Sequence, residues 1–413
     1  MGLGFSIEIP GGWNKEKRLR KLRKYFEKLS SPVPRRCVRV VGHEGGFQVA
    51  LVPFEEELRV DLGDGGITIS AKTNSAGPGY HAYLISLVDK AIRRLLIRKK
   101  RVKAEDETGY YHNRDFPALQ KSISGWLATV AGVLLQSDSE QPCAVSMPLS
   151  IMPVAAGRFA FSQLGYFDRG FFRAVLDDQN VQELCRKFFI WWDQEKNALF
   201  YKNCALAAMW NELNWLYPQT KAEEQLYKSV RDCIKQADKL DPGDFPAAAW
   251  LEIARLLDDQ RLIRRLKARF GLSDGAAMEI GYLRGGIHDR FLGSWRLTRP
   301  GMMHVECDAE GGWCWWDDNR TIRASAVASS DKAGEPSLAE IAGDESGSEP
   351  FPILEEHGLT ARISHTEIEE DEQPAWLTRL FASKDEQLLV LSVFYGDEED
   401  REWAEAVCAS VRA

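Results

Sequence analysis

The chain has 413 residues, 44% of them hydrophobic and 28% charged, with a net charge of −8. That length exceeds what one hydrophobic core sustains, so several domains are expected, and the ordinary composition excludes a wholly disordered chain. The acidic balance argues against bulk adhesion to nucleic acid or anionic lipid, although basic residues gather early in the chain.

Phe5–Ile9 alternates and predicts a strand, closed by Pro10-Gly11-Gly12. Lys15–Leu29 sets Leu19, Leu22, Phe26 and Leu29 at helical spacing among Lys and Arg, which predicts a basic amphipathic helix. Strands are expected at Cys37–Val41, Phe47–Pro53 and Leu58–Leu62, the last pairing with Ile67–Lys72 across Gly63-Asp64-Gly65-Gly66. Helices are expected from Tyr80 to Leu96, running into the basic cluster Arg98–Arg101, and from Phe116 to Leu135. A sheet-like section, Cys143–Leu176, completes an N-terminal domain, residues 1–176, in which an antiparallel sheet carries packed helices.

Residues 177–290 read as a helical section rich in Trp, Phe and Tyr. Tyr227–Pro242 resembles the end of a tetratricopeptide unit, but no second copy follows at that period, so an ordinary bundle is expected. The last section, residues 291–413, predicts strands at Ser294–Thr298, Met302–Asp308, Trp313–Trp316 and Thr321–Ala328. A short helix, Ser337–Ala342, and a mobile Gly- and acid-rich loop, Gly343–Pro352, come next. Three meander strands follow, Leu359–Glu367, Ala375–Ala382 and Gln387–Tyr395, and then a helix from Asp400 to Val411 with Trp403, Val407 and Val411 on one side. The fold class is therefore α+β, in three sections.

The segments GSWRLTRPGMMHVEC (293–307), NRTIRASAVAS (319–329) and QLLVLSVFYGDEEDREWAEAVCASV (387–411) together resemble the Mog1/PsbP-like α/β/α sandwich. The resemblance covers the last third of the chain. It implies a small binding or adaptor module, and it offers no catalytic residue to carry over.

The eight cysteines are dispersed without a Cys-x-x-Cys pair, which reads as buried thiols in a reducing compartment. The N-terminus lacks a basic region followed by an apolar core, and no apolar run reaches spanning length, so a cytoplasmic protein without membrane insertion is expected. No cofactor fingerprint, nucleophile elbow or metal-ligand spacing occurs, so neither cofactor, metal nor catalytic residue is assigned.

Ser75-Ala76-Gly77-Pro78-Gly79 opens a helix, and free N–H groups there suit an anion, with Lys72, Ser75, Gly77, Gly79 and His81 as the residues of such a site. The same loop also reads as a capped strand-to-helix connection. His112 and the acids from Glu105 to Asp115 could pair for acid–base work, or Asp115 could simply cap a helix. His304, Cys307 and Cys314 lack zinc-knuckle spacing, and a strand cysteine fits better. The basic segments Lys15–Lys28 and Arg93–Lys103 could meet nucleic acid, but read rather as solvated faces, and nucleic acid is not the expected partner. Adjacent Trp191 and Trp192 cannot share one helical stripe, which makes Trp191, Trp192, Trp210 and Trp215 candidates for a protein-binding surface or an inter-domain core.

The expectation is thus a non-enzymatic bacterial protein that binds a protein client, as an immunity protein, antitoxin or secretion-associated adaptor does. A basic client fits by charge complementarity. The alternative is an enzyme or ligand-binding protein with a phosphate or carboxylate site at the Ser75–His81 loop.

Overall fold

The computed structural model describes residues 2–10, 14–52, 57–95, 102–137, 142–146, 151–154, 157–177, 180–243, 245–272, 280–308, 311–328, 348–370, 373–384 and 387–413. The expected basic cluster Arg98–Arg101, the helix Ser337–Ala342 and most of the loop Gly343–Pro352 lie outside them. The chain divides into two units. One holds Met1–Pro148, Ala155–Leu213 and Tyr217–Gly281; the other holds Leu149–Val154, Asn214–Leu216 and Tyr282–Ala413.

The first unit begins with the alternating strand β1 (Gly4–Pro10) and the basic helix α1 (Lys15–Phe26), followed by β2 (Arg39–His43), β3 (Gly46–Ala50), β4 (Leu58–Leu62) and β5 (Gly66–Lys72). After α2 (Pro78–Arg94) comes β6 (Lys103–Asp106), and the six strands make one sheet ordered β2-β3-β4-β5-β1-β6, antiparallel throughout. Period-two alternation divides its faces. Phe47, Val60, Ile69 and Ile7 form a row across the sheet on the core side, all at most 1% exposed. Leu22 and Phe26 of α1 close over this side, with the Phe26 ring 6.0 Å from Phe47.

Glu105 and Asp106 lie in the edge strand β6, and Glu107 directly follows it. Its inward positions are Ala104 and Asp106, too small or too polar to produce an apolar alternation, and only pairing with β1 makes it a strand.

The rest of this unit is largely helical. The short α3 (Tyr110–Asn113) leads to α4 (Phe116–Gln136), whose N-terminus is capped by Asp115, its carboxylate accepting the Ala118 N–H at 3.0 Å. Strand β7 (Cys143–Ala144) belongs here, whereas β8 (Ile151–Pro153) belongs to the second unit. Next come β9 (Ala160–Ser162) and β10 (Gly165–Phe167), which with β7 form a small sheet ordered β10-β9-β7. The sheet-like reading of Cys143–Leu176 fails at its end: Asp168 caps a helix, α5 (Arg169–Leu176), by accepting the Phe171 N–H at 2.7 Å. Helices α6 (Val181–Phe188), α7 (Ala198–Asn211), α8 (Lys221–Leu240), α9 (Ala247–Leu256) and α10 (Gln260–Phe270) follow. Thr220 and Glu223 start α8 with a reciprocal capping box, and Gly271 in the left-handed region ends α10.

The sequence boundaries at 176/177 and 290/291 are therefore not where the units part. The helices after residue 177 share a unit with the N-terminal sheet, joined to it by Arg36 with Glu212, Arg35 with Asp232, and the Ser229 hydroxyl donating to the Pro34 carbonyl.

In the second unit β11 (Gly286–Arg290) pairs with β12 (Arg296–Pro300) and with β8, giving the order β12-β11-β8. The larger sheet contains β13 (His304–Cys307), β14 (Trp313–Trp316), β15 (Arg320–Ala328), β16 (Glu349–Pro350), β17 (Thr360–Glu370), β18 (Gln373–Lys384) and β19 (Gln387–Tyr395). Its order is β13-β14-β15-β19-β18-β17-β16, antiparallel at every pairing. The terminal helix α11 (Arg401–Ala409) covers β18 and β19 with Ala404, Val407 and Cys408, all buried with Trp295, Trp315, Leu391 and Val393.

Candidate functional site

The loop that opens α2 is built for close approach. Gly77 takes φ 105°, and a Cβ there would stand 2.8 Å from the Trp191 carbonyl oxygen. At Gly79 a Cβ would stand 2.1 Å from Trp191 Cδ1. The Gly79 N–H donates to the Trp191 carbonyl at 2.9 Å, and the Trp191 N–H donates to the Ala76 carbonyl at 2.8 Å. The amide that would meet an anion is therefore already engaged, and the glycines exist to seat residues 189–193. Of the five residues expected to form an anion cradle, Gly77, Gly79 and His81 are buried, Ser75 is half-buried and Lys72 is exposed on the sheet. They do not converge on one ligand.

His81 takes part in a different arrangement. Its Nδ1 lies 2.8 Å from Thr73 Oγ1, and its Nε2 lies 3.3 Å from Asp106 Oδ2 and 3.4 Å from Thr108 Oγ1. The Asp106 carboxylate also accepts the Tyr111 N–H at 2.7 Å, the Thr108 N–H at 2.9 Å and the Thr108 hydroxyl at 2.7 Å. Burial alone would raise the Asp106 carboxyl, but the hydrogen bond and charge interaction with His81, with the Thr108 and Tyr111 donors, outweigh it and hold it at about 2.

Hydroxyl, imidazole and carboxylate in series have the composition of a nucleophile with its base and orienter. Access decides otherwise. Thr73 and His81 are both 0% exposed, and the imidazole is boxed by Phe5 at 5.6 Å and Tyr110 at 5.9 Å, both edge-on. No substrate carbonyl can reach the Thr73 oxygen in this arrangement. The network instead joins β5, α2, β6 and α3 through charge-assisted bonds. Sequence reading treated His81 and Asp106 as members of separate clusters. The inward parity of Asp106 on β6 is the signal that could have joined them.

The remaining members of the acidic cluster disperse. His112 Nε2 lies 3.3 Å from the Ala104 carbonyl, Arg114 pairs with Asp89 at 2.6 Å, and Asp115 caps α4.

The outer face of the same sheet is polar. Register aligns Gln48, Arg59, Ser70, Ser6 and Glu105 in one row across five strands. These residues, with Gly4, Lys72 and His112, line an open cleft of about 960 Å³ whose central floor is small and hydroxylic and whose flanks carry both signs of charge.

On the helical side, of the second basic segment only the described end of α2 is placed against α1. The Arg94 guanidinium lies 5.3 Å over the Tyr25 ring, so the end of α2 runs beside α1, where Lys17, Arg20, Lys21, Arg23 and Lys24 are exposed. Charge is segregated by unit. The first carries 41 Lys and Arg against 34 Asp and Glu, a net +7; the second carries 12 against 27, a net −15. Exposed acids of the second unit include Glu367 and Glu369 of β17, Glu355, Glu356, Glu398 and Glu399.

The tryptophans do not form one exposed surface. Trp191 and Trp192 are 2% and 1% exposed and lie between α6 and α7, outside any helix, where neighbouring side chains need not share a helical stripe. Trp210 is half-buried, edge-on to Tyr166 at 5.6 Å. Trp215 is buried in the second unit beneath Arg284, 3.9 Å from its ring. His304 is buried, stacked on Trp316 and 3.2 Å from Asn214, while Cys307 is exposed. Among the described residues no group of three or more His, Cys, Asp or Glu is placed to hold a metal ion.

No family model matches this chain, and no curated protein does. Among solved structures it is similar to a protein from Bacteroides thetaiotaomicron, at 14% identity and a TM-score of 0.25, over 29% of this chain and 44% of that one.

Proposed function

We propose that this protein acts by stoichiometric binding of a protein client, in the manner of an immunity protein, antitoxin or secretion-associated adaptor. The segregation of charge supports the reading: a −15 unit with acids exposed on β17 and before α11 suits a client with a basic face. Complementary potentials speed encounter and suppress wrong partners, a task that needs no catalytic group. The Mog1/PsbP-like resemblance of residues 291–413 points the same way, toward an adaptor.

The test uses the basic proteins encoded beside this chain in its native host, co-expressed and titrated calorimetrically. A one-to-one complex is expected whose association rate falls steeply with salt and drops about tenfold in Glu367→Lys/Glu369→Lys. A chain that forms no stoichiometric complex, or one indifferent to that reversal and to salt, overturns the reading.

One observation favours a second reading. Arg94 over Tyr25 sets the basic end of α2 beside the exposed Lys and Arg of α1 on the +7 unit, which suits a polyanion such as nucleic acid. A shift assay with duplex and single-stranded oligonucleotides at low salt tests it, and retention lost in Arg20→Glu/Lys24→Glu would support it.

A further inference from the structure

One cleft of the first unit is lined by cations without counterions. It has a volume of about 540 Å³ and lies between α2, which lines it with Tyr83, Ser86, Lys90 and Arg93 from one helical face, and the segment Gln194–Lys196. Small-molecule sites commonly span about 300–1,000 Å³.

The charges of this cleft do not cancel. Six charged side chains line it: Asp89, Lys90, Arg93, Arg114, Glu195 and Lys196. Arg114 and Asp89 satisfy each other at 2.6 Å. Among the described residues Lys90, Arg93 and Lys196 form no ion pair, and neither does Glu195, so three free cations face one free carboxylate, a net +2. The acid beside this segment, Asp193, is taken up by Arg186 at 3.4 Å and by the Asn197 amide at 2.7 Å. Arg93 lies in the last turn of α2, where the helix dipole suits a cation. Lys90 lies outside that turn. Lys196 directly precedes Asn197, the N-cap of α7, where the dipole disfavours a cation and favours an anion.

The wall that carries Lys196 is held in place. Trp191 exchanges backbone hydrogen bonds with Ala76 and Gly79, and its ring lies 5.1 Å from that of Tyr83. Asn197 caps α7 by accepting the Phe200 N–H at 3.0 Å. The segment is thus pinned at both ends across from Lys90 and Arg93, so little ordering cost falls on binding.

We propose that this cleft binds a small polyvalent anion of the phosphate class, a di- or triphosphate group. Its oxygens accept from Lys90 and Arg93 on one wall and from Lys196 on the other, with Ser86 and Gln194 as neutral donors. Cations on two walls reward a ligand that spans them, so its charge and length decide affinity. The site is independent of the protein client and of the α1 face described above.

Calorimetric titration of the full chain in magnesium-free buffer tests this with tripolyphosphate, adenosine triphosphate and orthophosphate. The salt is held at about 0.1 M, where only charges within about 10 Å act together. One site per chain is expected for a triphosphate, with orthophosphate at least about tenfold weaker. Either order of the two triphosphates supports the site, and that order separates free polyphosphate from a nucleotide. Lys90→Gln and Lys196→Gln, both at exposed positions, should each weaken binding about tenfold, and Glu195→Gln should strengthen it about threefold. Arg20→Gln/Lys24→Gln, on α1 outside the cleft, should leave it unchanged. If Lys196→Gln moves the thermal midpoint, Lys90→Gln and Glu195→Gln carry the test. No binding of either triphosphate to the native chain, equal affinity for orthophosphate, indifference to the cleft variants, or an equal loss in the α1 variant overturns the proposal.

Discussion

The Trp191 carbonyl accepts the Gly79 N–H at 2.9 Å, so the segment between α6 and α7 closes the N-terminal end of α2. A loop with the look of an anion cradle is thereby converted into a packing joint. The indole occupies the space where any side chain at position 79 would begin.

Gly79→Ala is therefore expected to destabilise the first unit by about 3 kcal/mol, since its methyl would overlap Trp191 Cδ1 and the Asp193 carbonyl, at 2.1 and 2.3 Å. Gly125→Ala supplies the contrast. It lies mid-helix in α4 with no atom within 4 Å of its Cβ, and should stabilise by about 0.5–1 kcal/mol through helix propensity. Urea midpoints of the two variants against the native chain check both signs.

The Asp106 carboxyl sits at about 2 in the folded chain against 3.8 ordinarily, so the folded state binds fewer protons than the unfolded one between these values. Its contribution is thus complete above about pH 4 to 5 and is lost as pH falls toward 2. The depression corresponds to about 2 kcal/mol. Asp106→Asn should flatten this acid limb of the thermal midpoint curve and lower the midpoint at neutral pH.

Asp289 accepts from Arg299 at 2.7 Å and from the Trp315 indole N–H at 3.1 Å, and both charged partners are buried. Asp289→Ala leaves a buried guanidinium unpaired and should cost about 3–5 kcal/mol. Asp289→Leu with Arg299→Met, which removes both charges, should recover most of that loss. Chemical denaturation followed by the fluorescence of the second unit's tryptophans distinguishes the two outcomes.

Thiol reactivity should sort by exposure. Cys37 and Cys307 are exposed and are expected to react within the first fast phase of a dithionitrobenzoate titration. Cys185 and Cys233 are buried, with thiols pushed up to about 12 by desolvation, and Cys204 and Cys408 are raised in the same direction. These four should react only on unfolding, which pre-treatment with denaturant would reveal.

Much of the fold was legible locally. Alternation in Phe5–Ile9, Leu58–Leu62 and Gln387–Tyr395 and the helical spacing of Leu22 and Phe26 are properties of short segments that bury one face, so period and burial coincide. The caps Asp115 and Thr220 are equally local, because a side chain reaches only its own first turn. Edge strand β6 was not legible, since its inward residues are Ala104 and Asp106. Nor was β8, which pairs with β11 more than a hundred residues later. Only the tertiary structure decided which polar groups meet: it sealed His81 against Asp106, covered Gly79 with Trp191, and set Arg320 on Trp403. Sequence by itself determined period, composition and charge. Partnership between distant side chains came from packing, because burial selects the contact that satisfies each buried charge and amide, and no local pattern encodes it.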